Sequence, residues 1–336
     1  MITTRRALGG LAAAAGLSAA LPKPAVHAQA PIAITVGHVL SPNSAYQVIF
    51  TRMNELVRER TGGRVSITIQ GGGAAGTETR IIQSMRTGIL DGSFVGGSTL
   101  ETVQPNYRVL SLPYIFDDHA QANRILHGPV GQEMMSLLEP LNLLGLGFGA
   151  IFERNIASRR AINSPADLQG LKIRVLPTPG FVEAYRAFGA QPTPMAFGEV
   201  FLALQNNVVD ALEISADSVV ADRFVEIISH YALTKVHQST TVMTWSRIKW
   251  NSYPAEVQQI LRASAAEAIR HGLVEHERLN VEGMATVRAR GITVTEPPLA
   301  PFMELARRSY PTILAEAPQG QQWVERILAA KRQGQG

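Results

Sequence analysis

The chain has no cysteine and lacks long apolar runs after its first residues, and both shortages exclude classes of protein. Zero cysteines among 336 residues exclude disulfide scaffolds, thiolate zinc sites, iron–sulfur clusters and cysteine nucleophiles. Beyond residue 30, no stretch reaches the ~18 apolar residues that span a bilayer. The remaining composition, 46% hydrophobic and 17% charged, is typical of a globular protein of roughly two domains.

Two catalytic signatures are also missing. The sequence contains neither a His-Glu-x-x-His zinc motif nor the Gly-x-Ser-x-Gly turn that presents a nucleophilic serine. The nearest approach to a zinc motif joins His271 to His276, which is one residue too long, because helix positions five apart point in different directions. The sequence therefore predicts no metal site.

The first thirty residues predict an export signal. They contain no acidic residue, and paired arginines at positions 5 and 6 precede an alanine-rich apolar run and a final Ala-Gln-Ala. A basic start, a short apolar stretch and a small-residue cleavage site make a secretory signal, and paired arginines are typical of the twin-arginine class. Its removal deletes three basic residues and lowers the net charge from +4 to +1, so we expect no nucleic-acid partner.

Strand-like and helix-like patterns alternate along the rest of the chain. This alternation predicts an α/β fold with crossover connections, mostly parallel sheets and two similar halves. The predicted strands are 31–37, 65–69, 89–95, 171–176 and 208–214, and the predicted helices are 44–60, 77–87, 181–188, 197–205 and 310–331.

A stretch from Pro254 to Arg290 predicts an unusually long helix. It has no internal proline, and its apolar residues recur at helical spacing. At ~1.5 Å per residue it would extend about 55 Å, which is longer than one half of the protein. We therefore expect it to lie across both halves, with Gly272 and Gly283 as candidate kinks.

A glycine loop offers a possible cofactor site. Gly71, Gly73 and Gly76 fit Gly-x-Gly-x-x-Gly between a strand and a helix, and Asp91 lies where a ribose-binding acid would stand. A simple turn, or a ligand-facing loop at a helix N-terminus, fits the same residues. The alternative function is thus an exported nicotinamide- or flavin-dependent oxidoreductase that uses residues 71–76.

Arg174 lies inside the apolar segment Leu-Lys-Ile-Arg-Val at 171–175. A buried guanidinium needs a partner, and its planar fork matches a carboxylate through two parallel hydrogen bonds. That carboxylate belongs either to a ligand or to a distant Asp or Glu of the chain itself. Arg154 would add a second positive charge to the same half.

A series of short motifs follows in order along almost the whole mature chain. The motifs are Gly37-His38, Thr61-Gly62-Gly63, Gly76-x-Glu78, Gly88-x-x-Asp91, Leu112-Pro113-Tyr114-Ile115-Phe116, Arg160-Ala-Ile-Asn-Ser164, Leu171-Lys-Ile-Arg-Val175, Pro192-Thr-Pro-Met-Ala-Phe197-Gly-Glu-Val200, Leu202-Ala-Leu-Gln205 and Val209-Asp210. Together they resemble the solute receptors of the tripartite ATP-independent periplasmic (TRAP) transporters.

This resemblance implies a two-lobed periplasmic binding protein fold with a long lobe-spanning helix, and no enzymatic activity or cofactor. We expect residues 31–151 with about 240–279 to form lobe I, and 152–239 with about 280–330 to form lobe II. The lobes would close around a small organic acid, a mono- or dicarboxylate. The loaded receptor, expected to be monomeric, would pass it in the periplasm to a small and a large membrane subunit.

The resemblance also assigns the site. Arg174 matches the arginine that clamps the ligand carboxylate, Arg154 the second arginine, and Phe197 the aromatic residue against the ligand. Other residues expected to line the pocket are His38, Asn43, Gly97, Ile214 and His237. Ile214 replaces the family's ligand-binding Asn, and Gly96-Gly97 replaces the acidic residue of sialic-acid receptors. Both departures predict an acid smaller or more apolar than sialic acid, and a keto acid, a dicarboxylate and an aromatic acid all fit.

Overall fold

Two mixed β-sheets, surrounded by helices, carry the fold. The computed structural model describes residues 1–2, 30–149 and 151–333. The predicted export signal at 1–30 falls almost entirely outside these residues. Contacts divide the chain into two units, residues 1–31 and residues 32–336, and the second unit contains both sheets. No helix among the described residues has the length and apolarity required to cross a bilayer.

The strands form two sheets that divide the chain at residues 148–152 and 239–241. The first sheet has the order β2-β1-β3-β10-β4, and the second has the order β11-β9-β5-β8-β6-β7. The strands are β1 (Ile32–Gly37), β2 (Val65–Gln70), β3 (Gly92–Gly96), β4 (Leu143–Phe148), β5 (Phe152–Ser158), β6 (Lys172–Val175), β7 (Gln191–Pro194), β8 (Ala211–Ile214), β9 (His230–Ser239), β10 (Thr241–Ser246) and β11 (Thr293–Thr295).

Each sheet is more mixed than the predicted mostly parallel arrangement. Strand β10 runs antiparallel to both β3 and β4, and β5 runs antiparallel to both β8 and β9. The reason is that β4 continues into β5, and β9 into β10, through short connections between the sheets instead of crossover helices. A crossover helix is what makes neighbouring strands parallel.

Helices pack on both sheets, and their apolar faces close three buried clusters. Residues 299–333 form two helices where one was expected, and they contact elements of both halves. The helices are α1 (Ala45–Arg60), α2 (Glu78–Arg86), α3 (His119–Leu126), α4 (Pro129–Ser136), α5 (Pro179–Ala187), α6 (Val200–Gln205), α7 (Ala216–Ala221), α8 (Arg247–Ser252), α9 (Ala255–Ala289), α10 (Leu299–Leu314) and α11 (Gly320–Gln333).

The long helix α9 confirms the prediction of one continuous element across both halves. It packs against α1 beside the first sheet and against α7 beside the second. The helix continues through Gly272 and Gly283, and both glycines serve as points of close approach. A Cβ at Gly272 would lie 2.0 Å from Ile49, and one at Gly283 would lie 2.7 Å from the backbone of Ala216. Glycine therefore lets α9 touch an element of each half.

Candidate functional site

A cavity of about 270 Å³ lies between segments that belong to the two sheets. From the first half it is lined by the β1–α1 connection, the start of α2 and the end of β3. From the second half it is lined by β5, β6, the segment after β7 and the start of α7. Ser239 and Thr241, on either side of the passage from β9 to β10, complete the wall. The volume is near the lower end of ligand sites, ~300–1,000 Å³, and suits a compact ligand.

Arg174 lies on β6 with its side chain 1% exposed, yet it lines this cavity. Its Nε and Nη2 both donate to the carbonyl oxygen of Met195, at 3.1 and 2.9 Å. Its Nη1 makes no hydrogen bond with any described residue and lies 3.7 Å from Glu213 Oε1. Burial lowers the pKa of Arg174 to about 10, with Glu213 opposing, so the group stays charged at neutral pH.

Arg154, on β5, points at the same carboxylate from the other side. Its Nη1 donates to the Glu213 carbonyl oxygen at 3.2 Å, and its Nε lies 3.2 Å from Glu213 Oε2. The β5–β9 register shifts directly after Arg154, and the bulged Lys235 has φ 49°. The Lys235 backbone N–H donates to the Asn155 side chain at 2.9 Å. Bulges re-aim side chains, so this irregularity fixes the direction of Arg154.

Glu213 is the central residue that our sequence analysis did not assign to the site. It lies fully buried on β8, in an Ala-Leu-Glu-Ile run, which is the same lone-charge signal that singled out Arg174. Burial raises the pKa of Glu213, and Arg154 and Arg174 act against that rise. The two candidate partners of Arg174, a ligand carboxylate and an acid of the chain itself, therefore do not exclude each other. An internal acid contacts the guanidinium, and one nitrogen still has donor capacity.

Glu78 begins α2 on the opposite wall of the cavity. Its carboxylate accepts from the Gly96 backbone N–H at 3.0 Å and contacts the Thr99 hydroxyl. Thr77 caps the same helix by accepting from the Arg80 backbone N–H. Burial raises the pKa of Glu78, opposed first by these hydrogen bonds and then by the two cavity arginines. Our sequence analysis noted Glu78 only as part of a motif.

The predicted aromatic residue and the Asn replacement both line the cavity. The Arg174 guanidinium lies 5.8 Å from the centre of the Phe197 ring, within the range of a cation–π contact. Phe224 supports that ring edge-on at 6.1 Å. Ile214 is 1% exposed and presents an apolar side chain where the family pattern has an amide.

Two of the other expected lining residues are histidines that lie behind the cavity wall. His38 is fully buried, with its Nε2 3.0 Å from the Gln47 side chain and its ring stacked on Phe50. His237 stacks on Phe181 at 4.1 Å and donates to the Ser111 carbonyl oxygen. Burial lowers the pKa of His237 to about 3, so its ring is neutral. The ring stacking on Phe181 and the hydrogen bond to Ser111 hold His237 away from the cavity wall.

Asn43 and Gly97 also lie away from the cavity wall. Asn43 is exposed in the β1–α1 connection, where Val39 and Leu40 line the cavity instead. Gly97 donates to the Thr240 carbonyl oxygen at 2.8 Å, and a Cβ there would lie 2.1 Å from the Thr240 hydroxyl. Its neighbour Gly96 takes the expected place in the wall.

The glycine loop supports the cavity from behind. The backbone N–H groups of Gly72 and Gly73 donate to the carbonyl oxygens of Leu40 and His38, at 2.8 and 3.0 Å. These bonds hold the segment that places Leu40 in the wall. Asp91, the candidate ribose ligand, instead accepts from the Thr35 backbone N–H at 2.8 Å and from the Tyr253 hydroxyl. The loop is thus a turn with a structural role.

Comparison with known proteins agrees with this two-sheet arrangement. The chain matches the family described as bacterial extracellular solute-binding protein, family 7 (DctP), over residues 36–317. A solute-binding protein of Roseobacter denitrificans is 31% identical over 295 residues, which cover 86% of this chain and 89% of that protein. The 2,3-diketo-L-gulonate-binding periplasmic protein of Escherichia coli is 30% identical over 261 residues, which cover 76% of this chain and 80% of that protein.

A solved structure shows the same two-lobed fold. The crystal structure of a TRAP periplasmic solute binding protein from Xanthobacter autotrophicus, with bound β-D-galacturonate, is similar with a TM-score of 0.85 and 26% identity. The match covers 88% of this chain and 99% of that one. The chain therefore belongs to the family 7 extracellular solute-binding proteins, the solute receptors of TRAP transporters.

Proposed function

We propose that this receptor captures a sugar acid or a similar organic acid by its carboxylate and delivers it to the small and large membrane subunits of a TRAP transporter. The observation that carries this proposal is the Arg174 guanidinium. It is nearly inaccessible from outside, lines the cavity, and keeps Nη1 without a hydrogen bond among the described residues. A ligand carboxylate would accept a hydrogen bond from Arg174 Nη1, and Arg154 would supply the second positive charge.

The ligand class follows from the wall and from the relatives. Hydroxyl groups surround the arginines, and they suit a ligand that carries hydroxyls of its own. The related proteins bind 2,3-diketo-L-gulonate in one case and galacturonate in another, and both ligands are oxygen-rich acids. The export signal at residues 1–30 supports a periplasmic location. Binding, with no catalytic step, is the function we assign.

We also propose that capture involves closure of two lobes, 31–151 with about 240–279 and 152–239 with about 280–330. Every strand of the first sheet falls in the first of these ranges, and every strand of the second sheet falls in the other range. The cavity is lined from both, so a relative movement of the lobes would open and shut it. Residues 299–333 contact both halves and would brace them.

The test is a calorimetric titration with a panel of uronic, aldonic and dicarboxylic acids. Arg174→Ala should weaken binding of the best ligand by about 30- to 4,000-fold, the effect of removing one partner of a buried charged pair. Arg186→Ala is the matched control, because that arginine is exposed and pairs with Glu183 outside the cavity. Circular dichroism checks folding, and Phe197→Ala tests the site without disturbing the ion pair. Unchanged affinity in Arg174→Ala would contradict the proposal.

A further inference from the structure

The cavity holds an unequal set of charges. Arg154 and Arg174 stand at one wall, and Glu213 lies behind them within 3.2 and 3.7 Å of the two guanidiniums. Glu213 supplies one carboxylate for two guanidiniums, and Glu199, which also lines the cavity from this half, is exposed to solvent that screens its charge. A single ligand carboxylate is therefore sufficient to complete the buried ion pairs.

The opposite wall is different in charge. Glu78 lines it, and each carboxylate oxygen meets one protein group, the Gly96 backbone N–H or the Thr99 hydroxyl. A carboxylate has about four acceptor positions, so Glu78 retains capacity for hydroxyl donors from a ligand. Burial raises the pKa of Glu78, whereas its two hydrogen bonds, the cavity arginines and its place in the first turn of α2 favour the negative form.

Among the described residues, Arg154 and Arg174 are the basic side chains that line the cavity, and both are already directed at Glu213. Their charges also act on Glu78, so no further basic side chain of the described wall is left to receive a second ligand carboxylate. The rest of the polar wall carries the exposed carboxylate of Glu199 and hydroxyls, among them Thr77, Thr79, Ser215, Ser218, Ser239 and Thr241. A dianion would thus place its second charge among hydroxyls and against carboxylates, of which Glu78 is the buried one.

We propose that Glu78 sets the charge of the ligand, so that the receptor accepts a hydroxylated acid with one carboxylate and rejects a dicarboxylate of the same size. This inference rests on the proposed function and names the substrate class of the same site. Like charges brought together in a desolvated site oppose binding, whereas hydroxyl donors to a carboxylate favour it.

The experiment compares two open-chain six-carbon acids, D-galactonate and galactarate, by calorimetric titration; galactarate has a second carboxylate where galactonate has a CH2OH group. Wild type should bind galactonate about 10- to 100-fold more tightly, the range expected for one like-charge contact at a partly screened site. Glu78→Gln keeps the shape and removes the charge, so its preference should shrink to about threefold or less, mainly through tighter galactarate binding. Glu78→Ala repeats the measurement should the glutamine variant fold poorly.

Glu101→Gln is the matched control. Glu101 is also buried and accepts from a backbone N–H, that of Gly180 at 2.8 Å, and from the Ser111 hydroxyl at 2.6 Å, but it does not line the cavity. Its substitution should leave the ratio of the two affinities unchanged. Equal affinities in wild type, or an unchanged preference in both Glu78 variants, would overturn this inference alone. Wild type that binds no acid of the panel would overturn the proposed function and this inference with it.

Discussion

Two buried carboxylates, Asp91 beside the first sheet and Glu213 in the second, show how differently one chemical group is used. Asp91 is 4% exposed, and each of its oxygens has a hydrogen-bond donor, the Thr35 backbone N–H or the Tyr253 hydroxyl. Glu213 is fully buried, and its oxygens form ion pairs with Arg154 and Arg174, which lower its pKa more than the Leu176 backbone does.

The difference separates a structural acid from one that organises a site. A carboxylate whose oxygens are satisfied by nearby donors fixes the elements that supply them, here β1 and the segment after α8. A carboxylate held mainly by ion pairs leaves hydrogen-bond donors of its partners unused. Those unused donors belong to Arg154 and Arg174, and they are what a ligand acid can take up.

The largest effect should come from Glu213→Ala. It leaves two buried guanidiniums near each other without their shared carboxylate, and breaking a buried pair costs about 3–5 kcal/mol of the free energy of unfolding. Chemical denaturation should show this loss. A ligand acid should then raise the thermal midpoint more in the variant than in wild type, because the ligand supplies the missing charge.

Glu213→Gln separates charge from shape in that measurement. It retains the side-chain volume, so a similar loss in both variants assigns the effect to charge. A loss below about 1 kcal/mol in both would contradict the comparison, because Glu213 would then not be holding the arginines.

Asp91→Asn should have a smaller effect and a different signature. The asparagine retains one acceptor but presents N–H groups to a donor, so we expect a loss of about 1–3 kcal/mol in the free energy of unfolding. Ligand affinity should stay within about twofold of wild type, because Asp91 does not line the cavity. A clear fall in affinity with normal circular dichroism would place Asp91 in the binding site and break the distinction.

Local patterns in the sequence predicted much of this fold. Helix spacing located α1 and α9, and the lone charge inside 171–175 located Arg174, because periodicity and burial are properties of neighbouring residues. The mixed direction of the sheets was not predicted. Strand direction depends on how β4 and β9 continue into the other sheet, and the hydrophobic spacing of a strand is the same in either direction.

The site was predicted only in part, because several of its contacts join segments that are distant in sequence. Glu213 carried the same signal as Arg174, but the ion pair between them joins strands almost forty positions apart in sequence. The bulge that directs Arg154 depends on the register of β5 against β9, which no single segment specifies. His237 lies two positions before the lining residue Ser239, yet its ring stacks on Phe181, a contact with a helix more than fifty positions earlier that strand spacing does not specify.

Asp222 extends the comparison to a partly buried acid that has no basic partner among the causes acting on its pKa, and it gives the smallest expected effect. Burial raises its pKa to about 7, assisted by Asp217 and opposed by the Ser41 backbone. A raised folded-state pKa means that folding takes up a proton, so this contribution to stability is present below about pH 4 and is lost as the pH rises to 7.

Asp222→Asn should therefore stabilise the protein at pH 8, by on the order of 1 kcal/mol at this partly exposed position, and have little effect at pH 4. Thermal denaturation of both proteins across this range measures the difference. Asp217 and its partner His276 are common to both proteins, so their own titration largely cancels. A difference that is the same at pH 4 and pH 8 would show that the substitution acts through packing and not through the charge of Asp222.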